Sequence, residues 1–221
     1  AVAEHAIGML LMLSNNLKKA DREVREGKWI REGNRGWELE GKAIAIIGYG
    51  NMRRSLAEKL SGFACRILVH DKYIDWSSRK QEVQVAGIHP CELATVFEQA
   101  DIVSLHLPLT EETLYYADER FFSSFKKPIV FVNTARGKNL KTSALVEAMK
   151  SGKVKGACLD VLEYERTSFE GLSESGHADL EFLKKNEQTI LTPHIAGWSR
   201  ESNIKMAEVL LQKIRAVLTP D

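Results

Sequence analysis

Residues 43–53 read AIAIIGYGNMR, and this stretch decides the fold. The apolar run Ala43–Ile47 has no alternating polarity, which is typical of a parallel strand covered on both faces. After it, Gly48 permits a tight turn, Gly50 lets the backbone approach a pyrophosphate, and a helix is predicted to begin near Asn51. A strand, two spaced glycines and a helix together predict the phosphate-binding turn of a dinucleotide-binding sheet.

The same short apolar pattern recurs along the chain, mostly followed by turn residues or a helical segment. Further strands are predicted at residues 66–69, 102–105, 129–132, 157–161 and 189–191. This alternation of strand and helix predicts an α/β fold with a doubly wound parallel sheet of the Rossmann type.

Two segments flank this alternation. Residues 1–28 favour helix, apolar nearly all round at first, and residues 33–41 predict a turn-rich arm. Residues 200–218 predict a helix with one apolar stripe. We therefore expect a dinucleotide-binding domain over residues 1–194, which includes the helix and arm of residues 1–41, and a C-terminal helical piece over residues 195–221.

The composition of the chain gives no sign of a nucleic acid, membrane or metal partner. The 221 residues suffice for one sizeable core, and a net charge of +1 gives no bulk field toward nucleic acid or an anionic membrane. The apolar run at residues 6–13 is far shorter than the roughly 20 residues of a membrane span. Three widely spaced cysteines show no metal-site pattern and fit a reducing cytoplasm. The start at Ala1 without Met suggests a cut or processed chain.

One residue near the phosphate-binding turn favours nucleotide binding, and another departs from the usual glycine pattern. Asp71 ends the second strand, where a carboxylate accepts from ribose hydroxyls and repels a 2′-phosphate, so NAD is favoured over NADP. Arg53 stands where the third glycine of the pattern lets helix and strand pack closely. Together with Arg54 it also places positive charge in a helix's first turn, where the dipole disfavours it. Either the helix shifts or the nucleotide site is impaired; the alternative, in which the guanidinium turns outward and helps bind diphosphate, stays open.

Three further residues, Arg136, Glu165 and His194, each follow a predicted strand. A guanidinium fork suits the carboxylate of a 2-oxo acid. An imidazolium suits donation of a proton to the keto oxygen, and a nearby carboxylate favours the charged imidazole. Taken one at a time, each of these residues could instead be an ordinary solvated charge or the cap of a turn. As an ordered set beyond the carboxyl ends of such strands, they predict reduction of a 2-oxo acid.

With Asp71 and the motifs at residues 48–53, 132–137, 159–165 and 192–194 in this order, the chain resembles the NAD-dependent D-isomer-specific 2-hydroxyacid dehydrogenases. The resemblance implies that Arg136 binds the substrate carboxylate, that His194 is the general acid/base, and that Glu165 hydrogen-bonds His194. It also implies a set of residues that line the cofactor NAD: Gly48, Gly50, Asn51, Met52, Asp71, His106, Pro108, Thr134, Ala135 and Asp160.

The resemblance further implies a homodimer through the helix at residues 1–13. Members of this family carry an additional part of a substrate domain before this point, to which nothing here corresponds, and their C-terminal helix packs against it. We therefore expect weak nucleotide binding and little turnover from these residues alone, since an open cleft excludes water poorly.

Two alternatives remain. In the first, the chain is an NAD-dependent binding module like the corepressors that share this fold. In the second, it is an engineered or isolated nucleotide-domain scaffold without activity. The remaining histidines are assigned no catalytic role: His5, His70, His89, His106 and His177. The sequence does not identify the 2-hydroxy acid.

Overall fold

The computed structural model describes residues 1–165 and 177–218, without the side chains of residues 51–54, 82, 85, 86, 216 and 217. The side chains of Asn51, Met52 and Arg53, to which the sequence assigns roles at the nucleotide site, therefore lie outside the described part of the chain.

The α-helices are α1 (Val2–Ser14), α2 (Leu17–Arg25), α3 (Asn51–Leu60), α4 (Lys80–Ala86), α5 (Leu93–Gln99), α6 (Glu119–Ser124), α7 (Thr142–Lys150), α8 (Ala178–Lys185) and α9 (Arg200–Leu218). The strands are β1 (Ala43–Ile47), β2 (Arg66–His70), β3 (Ile88–Pro90), β4 (Ile102–Leu105), β5 (Ile129–Asn133), β6 (Val154–Leu159) and β7 (Thr189–Leu191). All seven are parallel neighbours in one sheet of order β3-β2-β1-β4-β5-β6-β7. The predicted doubly wound sheet is confirmed.

Strand β1 shows why its sequence is apolar throughout. Ala43, Ala45 and Ile47 contribute to the core on one face of the sheet, whereas Ile44 and Ile46 contribute to the core on the other. A strand with helices on both faces has no solvated side, so both alternating sets of side chains are apolar.

The amino-terminal segment differs from the single predicted helix. It forms α1 and α2, which are separated at Asn16, a residue with a left-handed φ of 52°. The arm then returns past the end of α1, where the Trp37 N–H donates to the Ser14 carbonyl at 2.9 Å. Gly36 is required there, because a Cβ would lie 2.5 Å from the Ser14 oxygen.

The chain itself covers most of the apolar surface of α1. Its buried residues include Ile7, Met9, Leu10 and Leu13, and they belong to the core cluster beneath β1 and β6. In contrast, α9 is exposed along its described side chains, including those of the predicted stripe. Within residues 1–165 and 177–218, no helix combines the length and apolar character that crossing a membrane requires.

Candidate functional site

The strand order reverses between β1 and β4, which are neighbours in the sheet. In open parallel sheets the crevice at this point, beyond the carboxyl ends of the strands, is where ligands bind. Gly48 follows β1 with a left-handed φ of 83°, and its N–H donates to the His70 carbonyl at 2.7 Å. The glycine turn is thereby tied to the end of β2.

Asp71 is placed directly against this turn. Its carboxylate accepts the backbone N–H of Tyr49 at 2.6 Å and that of Tyr73 at 2.9 Å. A carboxylate at the end of the second strand is the group that accepts ribose hydroxyls in dinucleotide-binding sheets. The carboxylate is thus held in one orientation beside the turn.

A cleft with a cavity volume of about 150 Å³ opens at this edge of the sheet, and Gly48, Asp71, Leu107 and Pro108 are among the residues that line it. Glu112 pairs with the Lys72 ammonium and accepts from the Tyr73 hydroxyl across the rim. A largely apolar wall beside the oriented carboxylate of Asp71 fits the adenosine part of a dinucleotide.

Three other predicted cofactor residues, His106, Thr134 and Ala135, lie on the loops after β4 and β5. His106 is buried, and its Nε2 lies 2.9 Å from the Ser104 hydroxyl. The Ala135 N–H donates to the Asn133 side chain at 3.0 Å. Among the described residues, the buried Thr134 hydroxyl finds no hydrogen-bond partner. A buried hydroxyl without a partner is costly, so this atom fits contact with a bound polar group.

Arg136 lies on the same loop with its side chain exposed. Its guanidinium donates to the carbonyl of the preceding residue, Ala135, at 2.6 Å, and its own carbonyl accepts from the Asn133 side chain at 3.0 Å. Asn133 therefore shapes the loop, while the guanidinium keeps donors to spare for an anionic ligand.

Glu165 and His194 are brought together by the loops after β6 and β7. His194 Nδ1 lies 2.8 Å from Glu165 Oε2, and the other carboxylate oxygen accepts from the Leu162 N–H. Both side chains are largely buried, with 25% and 16% of the side-chain surface exposed. The contact exists in the structure, and the catalytic roles of both residues stay predictions.

His194 also has a left-handed φ of 57°. This conformation costs a non-glycine residue about 1–3 kcal/mol and persists only when its surroundings hold it. The His194 N–H donates to the Asp160 carbonyl at 2.7 Å. The side chain of Asp160 holds the rest of the loop, since it accepts from the Thr192 hydroxyl at 2.6 Å and from the N–H groups of Ile195 and Ala196 at 2.9 and 2.8 Å.

The described contacts of the Asp160 carboxylate are thus with the protein itself, and its assignment to the cofactor stays a prediction.

The sequence analysis missed one residue that contacts this loop. His5 on α1 reaches the Thr192 hydroxyl, with Nε2 and Oγ1 2.9 Å apart. The only signal in the sequence was an imidazole within an apolar helix, and that signal does not name a partner far along the chain.

The cysteines have no chemical role in this arrangement. Cys65, Cys91 and Cys158 are free thiols, and burial raises the pKa of each. Within the described ranges, no group of three or more His, Cys, Asp or Glu side chains is placed to hold a metal ion.

Comparison with known proteins agrees with this geometry. A family model for the D-isomer specific 2-hydroxyacid dehydrogenase, NAD binding domain, matches residues 7–196. The matched part is that family's NAD-binding domain, which bears out NAD as the cofactor.

Individual relatives are similar over nearly the whole chain. Glyoxylate reductase of Thermofilum pendens is 36% identical over 99% of this chain and 62% of its own length. D-lactate dehydrogenase of Escherichia coli is 32% identical over 97% of this chain and 64% of its own length. The solved structure of D-lactate dehydrogenase from Aquifex aeolicus complexed with NAD and lactic acid superimposes with a TM-score of 0.84 at 28% identity, over 98% of this chain and 66% of that one. The chain therefore spans less than two thirds of the length of the curated relatives described here.

Proposed function

The chain belongs to the D-isomer-specific 2-hydroxyacid dehydrogenase family, and we propose that it supplies the nucleotide-binding and proton-transferring part of an NAD-dependent oxidoreductase of D-2-hydroxy acids. The observation that carries the proposal is the hydrogen bond between His194 and Glu165. This pair lies at the same edge of the sheet as the cleft beside Asp71.

The residues proposed to hold NAD are those at the strand ends. The turn at Gly48 and Gly50 would take the pyrophosphate, Asp71 the ribose hydroxyls, and Thr134 a polar group further along. Bound NADH supplies the hydride that reduces a keto carbon.

The proton would come from His194. Its Nδ1 faces Glu165, and Nε2, on the opposite side of the ring, is the nitrogen proposed to give a proton to the keto oxygen. The Glu165 carboxylate, 2.8 Å from Nδ1, would orient the ring. Arg136 would pair with the substrate carboxylate through its planar fork.

The domain boundaries follow from the same proposal. Residues 1–194 would form the nucleotide-binding domain, and α9 would pack on a part of the protein beyond these 221 residues. The exposed apolar side chains of α9, among them Ile204, Leu211 and Leu218, support such a contact. By themselves, residues 1–221 are proposed to turn over slowly, because Arg136 and Trp198 stand open to solvent.

A homodimer through the helix at residues 1–13 belongs to the proposal as well. Its support is a group of exposed apolar side chains on α1, on α2 and in the segment that follows α2: Met12, Leu17, Val24, Trp29 and Ile30. The free thiols support a reducing compartment such as the cytoplasm.

The test is a titration of NADH into the purified chain, followed by nicotinamide fluorescence, with Asp71→Ala as the variant and NADPH as the second ligand. We expect saturable NADH binding that is weakened in the variant, and weaker binding of NADPH to the wild type. Binding that is equal in both proteins would contradict the placement of the ribose at Asp71.

Turnover is then measured with glyoxylate, hydroxypyruvate and pyruvate, the 2-oxo acids that correspond to the named activities of the relatives. NADH oxidation with at least one of them, however slow, is the expected result. Binding without any turnover would favour the corepressor-like alternative, which the Glu165–His194 pair does not support, because control of assembly requires no proton donor.

A further inference from the structure

We propose that His5 is a positioning residue for His194, acting through Thr192 and Asp160. The kinetic part of this inference rests on the proposed function, whereas the structural part does not. Although His5 belongs to the first helix and Thr192 to the last described loop before α9, their side chains are in contact at 2.9 Å.

The first step concerns the direction of the hydrogen bonds. The Thr192 hydroxyl has one hydrogen, and its shortest acceptor is Asp160 Oδ1 at 2.6 Å. The oxygen of that hydroxyl must therefore act as the acceptor toward His5. This fixes a hydrogen on Nε2 of His5, which also lies 3.4 Å from Asp160 Oδ1.

The second step concerns what these bonds hold. Only 1% of the Asp160 side chain is exposed, and the same carboxylate accepts the N–H groups of Ile195 and Ala196. These groups directly follow His194, whose left-handed backbone requires support from its surroundings. His5 donates to Thr192, which in turn donates to Asp160, and so helps to fix the loop in the conformation that turns His194 toward Glu165.

The third step concerns the rigidity of the helix that carries His5. Residues on both sides of it, Ala3, Ala6 and Met9, are buried, and Glu4 pairs with Lys59 of α3 at 3.0 Å. Met9 Sδ also lies 3.8 Å from the Thr192 hydroxyl. The donor of His5 is thus presented by a packed helix rather than by a mobile loop, as a precisely held site requires.

The test compares two substitutions of similar size. His5→Gln keeps an N–H donor near the position of Nε2, whereas His5→Leu removes it. Hydrogen exchange of the Ile195 and Ala196 amides is measured in the wild type and both variants, with the amide of Val103 in the central strand β4 as the reference. Loss of one hydrogen bond predicts exchange about 2- to 10-fold faster at Ile195 and Ala196 in His5→Leu. His5→Gln is expected to stay close to the wild type, and Val103 to be unchanged in both.

Exchange that rises equally at Val103, or equally in both variants, would overturn the inference, because it would show general destabilisation instead of support of the loop. In turnover with the best 2-oxo acid, His5→Leu should lower kcat by a similar factor and leave the KM for NADH unchanged, with recovery in His5→Gln. If the wild type shows no turnover, the proposed function fails, while the exchange result still decides whether His5 holds the loop.

Discussion

Gly137 lies so close to Leu162 that a Cβ on Gly137 would stand 1.9 Å from the Leu162 carbonyl oxygen. The contact joins two functional segments, since Gly137 follows Arg136 and the Leu162 N–H donates to Glu165. Direct backbone contact therefore fixes the position of the Arg136 loop relative to the loop that carries Glu165.

Gly137→Ala should separate these two loops. The neighbour is backbone and cannot turn aside, so we expect a loss of about 1–3 kcal/mol in the free energy of unfolding and a fall in turnover. Gly62→Ala is the matched control, because a Cβ at Gly62 meets nothing within 4 Å. Denaturant unfolding measures both; equal stability of the two variants would show that the contact is easily relieved.

His194→Gln should remove the proton donor while leaving NADH binding intact. A positioned acid contributes about 100- to 10,000-fold, so turnover should fall by a factor in this range. Glu165→Gln should cause a smaller loss, because the amide oxygen still orients Nδ1 but carries no charge. Glu163→Gln, which alters a carboxylate that instead accepts from the Thr142 N–H, is the control and should retain turnover. A larger loss in Glu165→Gln than in His194→Gln would reverse the assigned roles.

Arg136→Lys keeps the charge and loses the planar fork. A charge-assisted hydrogen bond is worth about 1.5–3 kcal/mol, so the KM for the 2-oxo acid should rise about 10- to 100-fold with NADH affinity unchanged. Lys138→Met removes an exposed charge from the same loop and should leave both parameters as they were. Steady-state kinetics distinguishes the two variants, and an unchanged KM in Arg136→Lys would remove Arg136 from the substrate site.

Arg53→Gly should tighten NAD binding, because glycine at this position allows the helix to lie close against β1. The expectation comes from the sequence pattern and from the placement of Arg53 in the first turn of α3. Arg54→Ala removes a positive charge from the same turn without supplying the glycine, and serves as the control. Calorimetry with NADH is the measurement; binding in Arg53→Gly that is equal to or weaker than the wild type contradicts the hypothesis.

Asp101 should contribute stability that is lost in acid. Burial disfavours its charged form, but the Ala43 N–H at 2.8 Å and the Lys127 ammonium at 2.7 Å outweigh burial and hold the pKa of Asp101 below its ordinary value. A lowered folded-state pKa gives stability above the unfolded-state pKa, and this stability disappears as pH falls through the folded-state value.

The difference in unfolding free energy between wild type and Asp101→Asn should therefore be present at neutral pH and shrink below about pH 4. Denaturant unfolding at pH 7, 5 and 3.5 measures it. Asp101 precedes β4 at the edge of the sheet away from the site, so NADH binding should be unaffected. A difference that stays constant over this pH range would mean that the charge of Asp101 contributes nothing.

The fold was predictable because the strands are continuous apolar runs. β1 and β4 were predicted with the bounds that the structure has. β3 was missed, since three residues that include the exposed His89 and a proline carry too little pattern. β6 begins earlier than predicted, at Val154, because Lys155 interrupts its apolar run.

The candidate site also has a part that the sequence suggests and a part that it does not. Arg136, Glu165 and His194 could be proposed as site residues because each follows a recognisable strand, and parallel strands bring their carboxyl ends to one edge. The contacts of Asp160 with the loop around Ala196 and of His5 with Thr192 were not found, because they depend on how α1 packs across the sheet. Sequence pattern gives the position of a residue along a strand, but not which helix covers the loop that follows.

The contact between His5 on α1 and Thr192 after β7 also suggests the order in which parts of the chain fold during synthesis. His5 and Thr192 are separated by 187 positions, and contacts of such long range form only after the intervening chain has folded, since closing the loop costs entropy that later packing must offset. The glycine turn and Asp71 come from neighbouring early strands and can assemble while much of the chain is still being made. A nascent chain would therefore form the cleft beside Asp71 before the loop of His194 is aligned, and the loop proposed to transfer the proton would form last.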